Sequence, residues 1–147
     1  VFKIYKLRSM SINAEKNGPQ WSQLNDTRIT SIGRLIRLTR IDELPQLVSV
    51  ILGDMSLIGP RPERPEIDIL LDQKIMNYSL RYKIKPGISG WSQVNYPYGA
   101  SLEDSKNKLS YDLYYIKNFS ILLDLLIFFK TIKLVLNAKG SLPKESR

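Results

Sequence analysis

The alternation of apolar and polar positions changes period several times along the chain, and each change marks an element. Val1-Phe2-Lys3-Ile4-Tyr5-Lys6-Leu7-Arg8 alternates loosely among β-formers, which predicts a short strand followed by a turn or helix at Ser9-Met10. Residues 13–30 are polar, include Asn17-Gly18-Pro19 and show little periodicity, so they read as a loop able to order over a ligand. Asp26-Thr27-Arg28-Ile29-Thr30 leads into a helix from Ser31. There Arg34, Arg37 and Arg40 recur every three residues as a cationic stripe, leaving Ile32, Leu35, Ile36 and Ile41 to pack elsewhere. Leu44 precedes a proline and is pushed toward extended backbone, while Pro45 suits the first position of a new helix through Leu47, Val48, Val50 and Ile51, so a break is predicted there.

Gly53 to Pro65 holds three prolines and two glycines within thirteen residues, which excludes a long regular element and stiffens the backbone. Residues 66–79 are predicted helical, with Ile67, Leu70, Leu71 and Ile75 on an apolar face. Arg81-Tyr82-Lys83-Ile84 reads as extended, Lys85-Pro86-Gly87 as a turn and Ile88 to Val94 as a returning strand, a hairpin-like unit. Asn95 to Ala100 is an aromatic loop, and its Tyr96 and Tyr98 together with Trp91 of the preceding strand either stack on a base or sugar or serve as packing. Ser101 with Asp104 is a capping-box variant opening a helix through Leu109, Leu113 and Ile116, whose Tyr111-Asp112-Leu113-Tyr114-Tyr115 reads as a pocket wall or as a mixed core and surface face.

Residues 119–136 are the most apolar stretch, but Asp124, Lys130 and Lys133 would each cost on the order of 3 kcal/mol near the centre of an inserted helix, which argues against a span. With Lys130 and Lys133 on one side and Asp124 elsewhere, the stretch reads as a helix lying partly on the domain and partly in a lipid interface, or as an internal packing helix. Residues 139–147 form a polar tail. The expected fold is α+β, mostly helical with a small β-hairpin, in one domain over residues 1–147.

Composition narrows the chemistry. With neither cysteine nor histidine, disulfides, thiolate zinc sites, cysteine nucleophiles and histidine general bases are excluded, leaving carboxylates, lysine, hydroxyls, arginine and an oxygen-ligated hard cation such as Mg²⁺. Of the formal charge of +8, residues 1–41 carry +6, a surface suited to phosphates on nucleotides, nucleic acid or lipid. The chain opens at Val1 without a methionine, inside an alternating pattern, and reads as a fragment of a longer protein.

Against that background Asp42-Glu43 stands out, two adjacent carboxylates between the arginine stripe and Pro45. Near a helix N-terminus and guanidinium groups, an ionised carboxylate is poised to bind a metal or to attack phosphorus; the alternative is a capped helix with surface ion pairs. Arg61, clamped between Pro60 and Pro62, presents its planar fork from a rigid loop, and Lys6 and Arg8 offer further phosphate contacts.

Tyr5-Lys6-Leu7-Arg8-Ser9-Met10, Asp26 to Thr30, Thr39 to Gln46, Gly53 to Glu63, Lys85 to Val94 and Tyr111 to Ile116 occur in order, and together they resemble the bacterial sugar transferase family, the monotopic phosphoglycosyl transferases. The resemblance covers nearly the whole chain. It implies a membrane-associated monotopic catalytic domain that moves a sugar-1-phosphate from a UDP-sugar to polyprenol (undecaprenyl) phosphate, at the cytoplasmic face of the bacterial inner membrane. Exopolysaccharide, capsule, O-antigen or glycoprotein glycan assembly starts with such a step. By the family's pattern Asp42 is the nucleophile that takes the phosphosugar and expels UMP, and Glu43 is its partner, with Mg²⁺ at Glu43 and Asp42. Arg37 and Arg61 match positions that hold phosphate or shape the site, with Pro60 and Pro62 flanking the latter. Family members also carry a re-entrant membrane helix and a basic linker ahead of the region matched here. The implied partners are UDP-sugar, polyprenol phosphate and inner-membrane lipid, with no nucleic acid. The rival reading is a non-catalytic cationic module for membrane or nucleic acid, the latter weakened because RNA-binding signatures and zinc-finger spacings are absent.

Overall fold

A computed structural model of the chain describes residues 2–16, 18, 20, 22, 25–97, 99 and 101–137. The polar tail from Lys139, Asn17, Pro19 and Tyr98 lie outside the described residues. The elements in order are α1 (Ser31–Leu38), a 3₁₀ helix (Ile41–Gln46), α2 (Leu47–Ile51), β1 (Ser56–Ile58), α3 (Pro65–Lys74), a second 3₁₀ helix (Tyr78–Lys83), β2 (Gly87–Ser89), α4 (Trp91–Asn95), α5 (Leu102–Lys117) and α6 (Ile121–Leu136). The chain is mostly helical, as expected, but its small sheet is not a hairpin.

β1 and β2 pair in parallel, Ser56 opposite Gly87 and Ile58 opposite Ser89. Parallel strands need a long crossover, and α3 with the second 3₁₀ helix provides it. The stretch expected to be the first hairpin strand coils instead, because Tyr78 and Arg81 turn inward and are buried, with Asn77 in the left-handed region at φ 63° starting the coil. Gly87 makes the pairing possible, since a Cβ there would lie 2.1 Å from the Gly59 backbone nitrogen. Gly87→Ala is therefore expected to destabilise the fold by about 2 kcal/mol or more, read as a lower urea midpoint.

A buried hydrophobic cluster joins Leu71, Ile75, Tyr78 and Leu109, with Ile67 and Leu113 packed on it; Leu70, expected on the same face, is exposed. The predicted capping box at α5 is present, Ser101 Oγ accepting the Asp104 N–H at 3.0 Å and the Asp104 carboxylate accepting the Ser101 N–H at 3.0 Å. Trp91 stacks on Tyr114 at 5.8 Å and carries Lys130 over its ring at 4.7 Å, while Tyr96 donates to Asp104 at 2.9 Å. Both aromatics therefore act in packing. The Tyr111 to Tyr115 run is likewise a mixed face, with Asp112 and Tyr115 buried and Tyr114 half exposed.

α6 packs on β1, β2 and α4. Its polar residues point inward: Asp124 accepts from Tyr115 at 2.6 Å, Thr131 shares a hydrogen bond with Ser89 at 2.6 Å, and Lys130 donates to Asn95 at 2.6 Å. Asp124 and Lys130 thus lie on the packed side, contrary to the expected segregation, and Lys133 is exposed apart from them. Of the apolar residues only Ile127 is fully buried, while Ile121, Leu122, Phe129 and Leu136 are exposed. No helix among the described residues is long and apolar enough to cross a membrane.

Candidate active site

Residues 2–9 form no regular element and so not the expected strand, yet the Leu7 N–H donates to the Asp42 carbonyl at 3.0 Å and so lays the segment along the dyad. An isolated antiparallel bridge, Met10 to Ile29, continues the contact. α1, capped by Thr30 Oγ1 accepting from the Gly33 N–H at 2.9 Å, rests directly on Ser9: a Cβ at Gly33 would sit 1.8 Å from the Ser9 carbonyl oxygen. That closeness lets the Arg37 Nε–H reach Ser9 Oγ at 2.7 Å, with a second bond to Ser22 Oγ at 3.2 Å.

The break in the chain falls at Arg40, earlier than expected, and Pro45 is inside a 3₁₀ helix rather than opening one. Arg40 adopts left-handed backbone at φ 56°, which ends the arginine helix at Leu38 and costs about 1 kcal/mol for a residue with a Cβ. Reversal there brings the Arg40 guanidinium within 3.6 Å of the Glu43 carboxylate. The apolar residues expected to pack behind the stripe are instead left outward, Ile32 at 75% and Leu35 at 62% exposed.

Asp42 and Glu43 are both buried, at 9% and 8% exposure, and their surroundings differ. Glu43 gathers three cations: Lys6 Nζ at 3.2 Å, Arg40 at 3.6 Å, and Arg61, whose NH2 donates to Oε1 and whose NH1 lies 3.4 Å from Oε2. Burial alone would raise its pKa, but Arg61, Lys6 and Arg40 overcome that and hold Glu43 well below the usual carboxylate range. Asp42 has no salt bridge among the described residues. Burial and the adjacent Glu43 charge push its carboxyl above the ordinary value, and Lys6 and Arg37 only partly oppose them. The expected grip of cations thus closes on Glu43, while Asp42 is left with a backbone hydrogen bond and no salt bridge among the described residues.

Of the candidate residues, Lys6, Arg61, Asp42 and Glu43 meet in one cluster, with Pro60 and Pro62 on either side of Arg61 and Arg37 on the Asp42 side. Arg8 is exposed and, among the described residues, has no ion pair with the dyad. Arg40 and Ser9 were not singled out. Arg40 could have been, since it stands three residues before Glu43; Ser9 reaches Arg37 only through tertiary packing. Among the described residues no group of three or more acidic side chains could hold a metal alone. Asp42 and Glu43 nevertheless offer the hard oxygens that Mg²⁺ takes when one or two carboxylates share it with substrate phosphates, so the donor set fits that mode.

Residues 1–138 match the family described as Bacterial sugar transferase. Over 140 residues the chain is 51% identical to a UDP-N-acetylgalactosamine-undecaprenyl-phosphate N-acetylgalactosaminephosphotransferase of Aeromonas hydrophila, covering 95% of this chain and 33% of that protein. It is 39% identical over 132 residues to a UDP-glucose:undecaprenyl-phosphate glucose-1-phosphate transferase of Escherichia coli K12, covering 88% of this chain and 28% of that protein. A protein of the same name from Caulobacter vibrioides is 37% identical over 142 residues, covering 95% of this chain and 53% of its own length. The chain therefore spans only 28% to 53% of the length of these relatives. With the match running through every element from the Lys6 segment to the end of α6, the chain belongs to the bacterial sugar transferase family.

Proposed function

We propose that the chain carries the catalytic centre of a phosphoglycosyl transferase that moves a sugar-1-phosphate from a UDP-sugar to polyprenol phosphate. The observation that carries this reading is the division of labour in the dyad: three cations are spent on Glu43, while the adjacent Asp42 is buried and has no salt bridge among the described residues. A buried carboxylate that no salt bridge ties up is placed for nucleophilic attack. An Asp42 oxygen attacks the phosphorus that bears the sugar, the bond to the bridging oxygen breaks, and UMP leaves with the electron pair. A polyprenol phosphate oxygen then attacks the same phosphorus and Asp42 departs as carboxylate. Arg61, Arg40 and Lys6 stabilise charge spreading over the phosphoryl oxygens, and Arg37 fixes the segment around Ser9. Mg²⁺, held by Glu43 and Asp42 together with donor phosphates, would add charge neutralisation on the diphosphate.

Association with the cytoplasmic face of the inner membrane is part of the proposal. Outward apolar rows support it: Ile32 and Leu35 on α1, Leu44, Leu47, Val48 and Ile51 after the dyad, and the outer side of α6. The row after the dyad starts beside Asp42, where a polyprenol chain would leave its phosphate near the nucleophile.

The test is an acid-quenched reaction of the full-length protein with UDP-sugar and Mg²⁺, without lipid acceptor. A sugar-phosphate mass on the peptide containing Asp42 is expected; turnover with no such adduct at any quench time would rule the mechanism out. Because the nucleophile must be ionised and its pKa is raised, activity falls as pH drops through a value above the ordinary 3.8. The acid limb of kcat/KM against pH is the measurement that reads this.

A further inference from the structure

We infer that Arg81, seated between Asp112 and Tyr78, is a positioning residue that holds the backbone of Arg61 so that the Arg61 guanidinium meets Glu43. The inference rests on the reading of Asp42 and Glu43 as the reacting pair.

Arg61 belongs to no regular element, so its aim depends on what holds its backbone. Pro60 and Pro62 restrict the torsions on either side. On one side the Gly87 N–H donates to the Pro60 carbonyl at 2.9 Å, tying the loop to β2. On the other, Arg81 NH2 donates to the Arg61 carbonyl at 2.6 Å. These two bonds hold the successive peptide groups on either side of the Arg61 Cα, and the second comes from a side chain.

Arg81 is 7% exposed and, from the second 3₁₀ helix, reaches α5 and the Arg61 loop as well as Tyr78 of its own helix. Its NH2 lies 3.0 Å from Asp112 Oδ2 on α5, its NH1 donates to Tyr78 OH, and its guanidinium carbon sits 5.0 Å from the Tyr78 ring centre. Asp112 itself is 2% exposed. A buried ion pair of this kind contributes little net stability over an apolar replacement of equal volume, so core packing alone does not account for it. Only a planar fork with several donors can join α5, the second 3₁₀ helix and the Arg61 carbonyl at once. Tyr78 also belongs to the buried hydrophobic cluster, so the chain of contacts connects the core to the charge facing the nucleophile.

The consequence is kinetic. If Arg61 loses its aim, its guanidinium no longer meets Glu43 beside the reacting centre. The experiment places Arg81→Lys, Asp112→Asn and Tyr78→Phe singly and together with Arg61→Gln in the full-length protein, measuring kcat and KM separately together with the melting temperature. Arg81→Lys and Asp112→Asn are each expected to lower kcat/KM about 10- to 100-fold, and Tyr78→Phe about fivefold. Each is expected to divide its loss between kcat and KM as Arg61→Gln does, and to add less than about twofold in the Arg61→Gln background. Losses that multiply with Arg61→Gln, or a kcat that merely tracks the folded fraction, would overturn the inference. Where Arg81→Lys or Asp112→Asn melts below the assay temperature, Tyr78→Phe, which keeps both charges, decides by the same two criteria. Retained activity in Asp42→Asn would instead remove the reading of the dyad. Loss there with multiplicative Arg81 effects removes the positioning role alone.

Discussion

Asp42→Asn is expected to abolish UMP release from UDP-sugars, lowering kcat by about four orders of magnitude or more, as loss of a covalent nucleophile does elsewhere. The amide is nearly isosteric but carries no charge and presents an NH₂ toward phosphorus. Folding should survive, because Asp42 has no salt bridge to lose among the described residues and its ionised form is disfavoured by burial and by Glu43. The sign of that stability effect is fixed. A carboxyl whose pKa is raised on folding disfavours the folded state once pH exceeds the ordinary value of 3.8, so removing the ionisable group should leave the neutral-pH melting temperature unchanged or higher. An inactive variant with a lower melting temperature at neutral pH would mean a misfolded site, and a variant with near-normal UMP release would end the nucleophile assignment.

Glu43→Gln should produce the second largest loss, a kcat/KM lower by about 100- to 1000-fold, from a different cause. It removes the counter-charge that collects Arg61, Arg40 and Lys6, so these cations are no longer held at the positions that phosphoryl oxygens would use. Two signatures separate it from a simple loss of folded protein. First, the acid limb of the activity profile should move to lower pH, because the Glu43 charge that raises the Asp42 pKa is gone. Second, the stability deficit should depend on pH. A depressed carboxyl pKa stabilises the folded state above its unfolded value, here 4.5, and that contribution fades as pH falls. At neutral pH the deficit should be about 2 kcal/mol, reduced from the buried-pair range because Lys6 and Arg61 are partly solvated, and it should shrink in urea titrations below pH 4.5.

Most helices of this protein follow from local chemistry. The helix expected from Ser31 begins there with Thr30 as its cap, the expected box at Ser101 and Asp104 closes with its shorter acid, and the apolar run after Phe119 is a helix. What periodicity misjudged is which side of each element the fold would cover. The apolar side of α1 was expected to be buried and is outward, and α6 turns Asp124, Lys130 and Thr131 toward the domain. Periodicity reports that a helix has two unlike faces, and assigning the apolar one to a protein core assumes water on the other side. Where the outward face is itself apolar, that assumption fails.

The hairpin expectation failed for a related reason. Arg81 to Ile84 followed by Lys85-Pro86-Gly87 has the local signals of a strand and a turn, yet β2 pairs with a segment nearly thirty residues earlier. The deciding contacts are nonlocal. Arg81 is drawn inward by Asp112 from α5, and Gly87 passes the Gly59 backbone at a distance that no side chain permits.

The amino-acid order by itself determined the chemical repertoire: no thiol, no imidazole, adjacent carboxylates, and basic residues concentrated ahead of them. It also determined most helix positions, since capping and torsional preferences act over a few residues. Only the tertiary structure decided which carboxylate the cations would neutralise. Lys6, Arg40 and Arg61 come from three separate stretches, and the left-handed turn at Arg40, the segment bonded to the Asp42 carbonyl and the loop anchored by Arg81 direct all three to Glu43. Charge–charge energies depend on separation and solvent exclusion, and neither quantity is a function of position along the chain.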